Sequence, residues 1–129
     1  MTYAQKTQET KVAANQLTGF VYFFLSADCE AIKIGFTNEP DMRLANAKTW
    51  TPEDANWEDI YPGTLADETA IHQRLAAHHI KREWFHFSDE VAEFLEDLQD
   101  ARIALNLERF GDPNVNEIPI AELLRLEER

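Results

Sequence analysis

Two side chains able to do chemistry, Tyr22 and Lys33, lie in neighbouring stretches rich in β-branched and aromatic residues, 19–26 (Gly-Phe-Val-Tyr-Phe-Phe-Leu-Ser) and 31–37 (Ala-Ile-Lys-Ile-Gly-Phe-Thr). The link between them carries Asp28 and Glu30 and is short enough to close a turn, so the pair reads as one β-hairpin. If position i pairs with position 57 minus i, Tyr22 faces Gly35 and Phe24 faces Lys33. Side chains alternate between the two faces of a sheet, so this parity puts a phenol and an ammonium on one face. A phenol takes a proton from water only where nearby cations favour its anion, and an ammonium is such a cation. Gly35 has no side chain to fill the space beside Tyr22, so backbone and ligand could approach closely there.

The same residues carry a family likeness. Val21-Tyr22 and Lys33-Ile34-Gly35 resemble the two tripeptide signatures of the GIY-YIG nuclease superfamily, in the branch whose second signature reads Lys-Ile-Gly. The Glu68-x-x-x-His72 pair and the Glu83-Trp84-Phe85 stretch match further features of that branch, and the likeness covers roughly residues 18 to 95. The resemblance implies an α/β fold, a small, mainly antiparallel three-stranded sheet flanked by helices, with a C-terminal helical extension. It implies a DNA endonuclease that uses one Mg²⁺ or Mn²⁺ ion. Tyr22 would be the general base, Lys33 and Arg43 would stabilise developing charge, and Glu68 would bind the metal. His72 would assist, and Gly35 would be the structural glycine of the site. The chain departs from the family pattern at Phe36, where many members are basic, and at Ala47, where a histidine or tyrosine is common. No asparagine stands near His78 to Lys81.

Each of these residues also has an ordinary structural reading. Tyr22 reads as a core tyrosine, Lys33 as a solvated strand lysine whose stem covers apolar surface, and Arg43 as a surface helix residue. Glu68 reads as an acid that complements a helix N-terminus. His72 reads as a structural histidine. The adjacent His78 and His79 make a weak zinc signal, because no cysteine cluster or tight ligand spacing accompanies them. Trp50, Trp57 and Trp84 could stack on bases or pack in a core.

The elements that must position these side chains are legible in outline. Residues 1–17 form a polar tail, residues 18–95 the nuclease-like core, and residues 96–129 a helical extension. Thr37 or Asn38 caps a predicted helix to about Lys48, followed by a turn-rich linker and a third strand from Trp57 to Tyr61, ended by Pro62-Gly63. Thr64 opens a helix over residues 65–79, with Asp67 completing a weak capping box. Residues 82–87 read as a short extended segment, and Ser88 caps an amphipathic helix to about Phe110, stopped by Gly111-Asp112-Pro113. The tail, with Ile118, Ile120, Leu123, Leu124 and Leu126, reads as a short amphipathic helix that packs on its own domain or contacts a partner chain or a second copy.

A chain of 129 residues with 44% hydrophobic content builds one domain with a proper core. The single cysteine, Cys29, excludes an internal disulfide and a cysteine-based zinc site. No signal-peptide core and no membrane-spanning run is present, which leads us to expect a cytoplasmic protein with no membrane partner. The net charge of −12 has the wrong sign for long-range attraction to DNA, so binding should be weak and salt-sensitive. Much of the acid follows residue 88, whereas Lys33, Arg43, Lys48, Arg74, Lys81 and Arg82 fall inside the core. Three functions therefore stand at this level: a metal-dependent nuclease, a nucleic-acid-binding or regulatory module that has lost turnover, and an acidic protein-interaction domain.

Overall fold

The computed structural model describes residues 19–39 and 56–127. The expected helix to Lys48, Arg43 and Trp50 lie outside the described residues, as do residues 1–18. Strands β1 (Gly19–Leu25) and β2 (Ala31–Thr37) form the expected hairpin, with Tyr22 opposite Gly35 and Phe24 opposite Lys33. Its turn is held by Asp28, whose carboxylate accepts from the Ser26 hydroxyl at 2.7 Å and from the Glu30 amide at 3.0 Å.

The sheet is larger than expected. It has five strands, not three, in the order β3-β1-β2-β5-β4, and every neighbouring pair is antiparallel. Strand β3 (Asn56–Gly63) runs through Pro62 instead of ending there. Proline has no N–H to give a ladder, and β3 tolerates it because it is an edge strand. The helix α1 ends at Arg74 (Leu65–Arg74), earlier than residue 79. After a single 3₁₀ turn, Ala76–His78, the chain enters β4 (His79–Lys81), which pairs with β5 (Trp84–His86). Apolar periodicity through Leu75 and His78 hid this break, and β4 is exposed throughout, so it carries no burial pattern to announce a strand.

The Ser88 hydroxyl caps α2 (Asp89–Phe110), and Gly111 closes it in the left-handed region at φ 68°. Its buried Val91, Phe94, Leu95 and Leu98 pack on Val21, Phe23, Ile32, Ile34 and Phe85 of the sheet and on Ile71 of α1. After α2 the chain turns back, with the buried Asn106 amide donating to the carbonyls of Pro113 and Val115 at 3.1 and 2.7 Å. Helix α3 (Ile120–Glu127) then adds Ile120 and Leu123 to the same core, so the tail packs on its own domain. Arg109 pairs with Glu122 across the two helices. Among the described residues no helix is long and apolar enough to cross a membrane.

The opposite side chains of β1, Tyr22 and Phe24, form a second small cluster with Ile60 and Trp84. Lys33 and Gly35 share this face, because the register pairs Phe24 with Lys33 and Lys33 with Trp84.

Candidate functional site

The site begins with the hairpin register. Tyr22 and Gly35 are directly opposite, and the fit between them is tight: a Cβ at position 35 would lie 2.4 Å from the Tyr22 hydroxyl and 2.8 Å from Glu83 Oε1. Gly35 is therefore required as a gap, one that lets a phenol and a carboxylate meet above the backbone.

The carboxylate is Glu83, delivered by the turn between β4 and β5. Arg82, at φ 53°, sits in the left-handed region that non-glycine residues seldom adopt. His79 Nε2 lies 2.7 Å from the Arg82 carbonyl and donates to it, which holds the turn. Next along the chain, the Glu83 carbonyl accepts from the Ile34 amide at 2.9 Å, which locks this residue beside β2. The Tyr22 hydroxyl then donates to Glu83 Oε1 at 3.3 Å, and Lys33 Nζ is 3.9 Å from the same oxygen. Lys33 also lies 5.9 Å from the centre of the Trp84 ring.

Helix α1 brings the second carboxylate. Thr64 and Asp67 form a full capping box, with the Asp67 amide donating to the Thr64 hydroxyl at 3.1 Å and the Thr64 amide to Asp67 Oδ2 at 2.9 Å. Asp67 thus serves the cap, and Glu68 stands beside it in the same first turn, where an acid complements the helix N-terminus. Glu68 is 8% exposed and pointed inward. Burial pushes its pKa up to about 7, and the neighbouring Glu83, by its charge and by a hydrogen bond, adds to the effect.

His72, one turn after Glu68, has Nε2 2.7 Å from the Ile34 carbonyl. A carbonyl only accepts, so this nitrogen carries a proton and donates. That excludes Nε2 as a metal ligand and makes His72 a brace for β2 next to Gly35. It remains 3.9 Å from Glu68 Oε2 and packs edge-on against Phe85 with ring centres 4.9 Å apart. His78 is likewise occupied, between Ser88 and Glu90 at 3.0 Å each.

Of the residues singled out in the sequence, Tyr22, Lys33, Gly35, Glu68 and His72 come together, and Arg43 lies outside the described residues. In the sequence Glu83 stands out only as part of a strand motif, yet it is the group on which Tyr22, Lys33 and Glu68 converge. Its position depends on the β2–β5 pairing and on a left-handed Arg82, neither of which spacing reveals. Among the described residues no cluster of three or more His, Cys, Asp or Glu side chains is arranged to hold a metal. A magnesium ion does not need one: it keeps most of its water and is bound through one or two carboxylates. The Glu68–Glu83 pair fits such an ion, since two carboxylates held together, one of them buried, are unfavourable until a cation or a proton separates their charges.

No curated protein and no solved structure matches the chain. The T5orf172 domain model matches residues 19–102, from the first residue of β1 into the second half of α2. The chain therefore belongs to the T5orf172 domain family, which is related to nuclease-type domains of the GIY-YIG and HNH kind.

Proposed function

We propose that this protein is a metal-dependent DNA endonuclease that hydrolyses phosphodiester bonds in one step at the Tyr22 face of the sheet. The observation that supports this reading most is the meeting of a phenol, an ammonium and a raised-pKa carboxylate at Glu83, in a family related to nuclease-type domains.

Tyr22 acts as the general base that removes the proton of the attacking water. Lys33 opposes the negative charge that builds on the nonbridging oxygens, and Arg43, with its planar guanidinium, can engage two of those oxygens at once. Glu68, with Glu83 beside it, would hold Mg²⁺, which supplies positive charge to offset that of the leaving oxygen. His72 keeps the Ile34 carbonyl and hence the strand under Gly35 in place. With a net charge of −12 the protein gains no long-range pull toward DNA, so productive binding is weak and falls steeply with salt.

The test is cleavage of supercoiled plasmid at low salt in Mg²⁺ or Mn²⁺. Wild-type protein nicks or linearises it, and Tyr22→Phe loses rate by about 10²-fold or more, the usual contribution of a general base. Glu68→Ala abolishes the metal dependence together with the activity. Undiminished cleavage by both variants overturns the assignments. A second reading, a binding module that has lost turnover, is favoured by Phe36 and Ala47, which stand where the superfamily often carries assisting residues. It predicts salt-dependent DNA binding without cleavage in any divalent metal.

A further inference from the structure

A second line of hydrogen bonds, built from residues that play no part at Glu83, joins a serine, a histidine and a glutamate. His78 Nδ1 lies 3.0 Å from the Ser88 hydroxyl, and His78 Nε2 lies 3.0 Å from Glu90 Oε1. A different piece of backbone positions each residue. His78 ends the 3₁₀ turn before β4, where its amide donates to the Leu75 carbonyl at 2.9 Å. Ser88 is anchored on both sides, since the Phe87 amide donates to the Glu30 carbonyl at 3.0 Å and the Ala92 amide donates to the Ser88 carbonyl at 2.8 Å. Glu90 stands in the first turn of α2. The cap then fixes the protons. The Val91 amide donates to Ser88 Oγ at 3.3 Å, so the hydroxyl keeps its own proton to give, and His78 Nδ1 is within reach to accept it. An imidazole that accepts at Nδ1 carries its proton at Nε2, the nitrogen that faces the Glu90 carboxylate. Capping a helix uses the serine oxygen alone; a base in line with the serine proton, and a carboxylate behind that base, go beyond it.

Nucleophile, base and orienting acid in this order are what activates a serine. The two ring nitrogens exchange the places they hold in the serine proteases, and the chemistry is unaffected, because either can accept while the other donates. We propose that Ser88, His78 and Glu90 form a second reactive centre, of the acyl-transfer class, that takes small, electrically neutral esters. Ser88 Oγ bonds to the ester carbonyl carbon as its proton passes to His78 Nδ1, and Glu90 accepts from Nε2 and opposes the imidazolium charge. The tetrahedral intermediate expels the alkoxide, which takes the proton from Nδ1 and leaves as the alcohol. Water then attacks the acyl-serine, giving its proton to Nδ1; the acid is released and Ser88 regains its proton. The oxyanion develops at the start of α2, where the first amides have no carbonyl partner within the helix and the dipole favours negative charge. Asp89 and Glu90 in that same turn repel an anionic ester, which confines the class to neutral ones. Ser88 is half-buried and the His78 side chain is 19% exposed, so an ester reaches both from solvent. Glu90 is 80% exposed, and water screens its charge, so it contributes least of the three.

The experiment treats the full chain with an alkyl fluorophosphonate and locates the adduct by peptide mass spectrometry. In that step the Oγ–P bond forms, fluoride leaves, and the serine proton passes to His78. Wild type is expected to gain one adduct, on Ser88, about 10²-fold faster than the same chain unfolded in urea, in the range of general-base assistance. His78→Gln should lose most of that acceleration, and Glu90→Gln less of it, since the glutamine oxygen still accepts from Nε2. Ser88→Asp keeps a good helix cap, so it preserves the fold while removing the nucleophile, and the adduct should vanish. In a Cys29→Ser background, chosen because Cys29 is an exposed thiol, the chain should also hydrolyse p-nitrophenyl acetate, and adding Ser88→Asp should abolish that turnover. Labelling of Ser88 no faster than in the unfolded chain would overturn the proposal and leave Ser88 as a helix cap alone. So would adducts spread over other residues, or labelling that His78→Gln leaves unchanged. None of these readouts involves DNA or a metal, so they stand apart from the nuclease reading.

Discussion

Two carboxylates in this molecule are buried to the same depth and treated in opposite ways. The side chains of Asp59 on β3 and Glu68 on α1 are each 10% exposed. Asp59 is met by Arg102 of α2 at 2.6 Å, and the same guanidinium donates to the Ile60 carbonyl at 2.8 Å and lies 4.1 Å from the centre of the Tyr61 ring. A cation, a carbonyl and an aromatic face thus close that site around a charge-paired carboxylate, whose Oδ1 takes the hydrogen bonds while Oδ2 is buried with no hydrogen-bond partner among the described residues. Glu68 has another carboxylate as its neighbour, and its pKa is pushed up to about 7 as a result of burial and of that neighbour. The fold pairs with arginine the acid that ties α2 to the sheet edge, and among the described residues it sets beside the other acid Glu83 and, at 3.9 Å, His72. Among the described residues no arginine meets Glu68, and on the function proposed above that carboxylate is the one that would take a cation.

The first way to break this comparison is to open the closed site. Arg102→Ala leaves Asp59 buried without its partner and is expected to destabilise the fold by about 3–5 kcal/mol in urea unfolding, the usual cost of removing one member of a buried pair. A loss under 1 kcal/mol would mean that the Asp59 site is not the structural clamp described. A smaller effect sharpens the other side: Gly35→Ala forces a methyl group against Tyr22 and Glu83, for which about 1–3 kcal/mol of overpacking is expected. Its larger consequence is on cleavage, because the phenol or the carboxylate must move. Unchanged activity would show that their contact does not matter.

The comparison also explains what the sequence can and cannot disclose. The hairpin is readable because parity leaves one register for two strands rich in β-branched and aromatic residues, and the Tyr22–Gly35 pairing follows from it. The caps at Thr64 and Ser88 and the stop at Gly111 are readable because they are local hydrogen-bonding and backbone requirements. Glu83 is not, because its place is set by Arg82 adopting an unusual backbone conformation and by a strand pairing between distant segments. The Asp59–Arg102 clamp is hidden for the same reason, as its partners are 43 residues apart and each looks like ordinary surface charge. The burial of Glu68 also escapes spacing alone: the capping-box spacing gives Asp67 its place, but only the packing makes the next acid turn inward.

The smallest expected effect bears most directly on the claim that Glu68 is held ready for a cation. A carboxyl whose folded pKa is raised from 4.5 to about 7 contributes its stability below about pH 4.5, and that contribution is lost as pH rises through about 7. Magnesium should reverse the loss by binding the ionised form of the folded state. The measurement is the thermal midpoint of wild type and Glu68→Gln from pH 4.5 to 8.5, with Mg²⁺ and at matched ionic strength without it. The account predicts that wild type declines toward pH 8 without Mg²⁺ and recovers with it, whereas Glu68→Gln lacks that decline and gains no such recovery. An identical Mg²⁺ response in the two proteins, or none in wild type at pH 8, would contradict it.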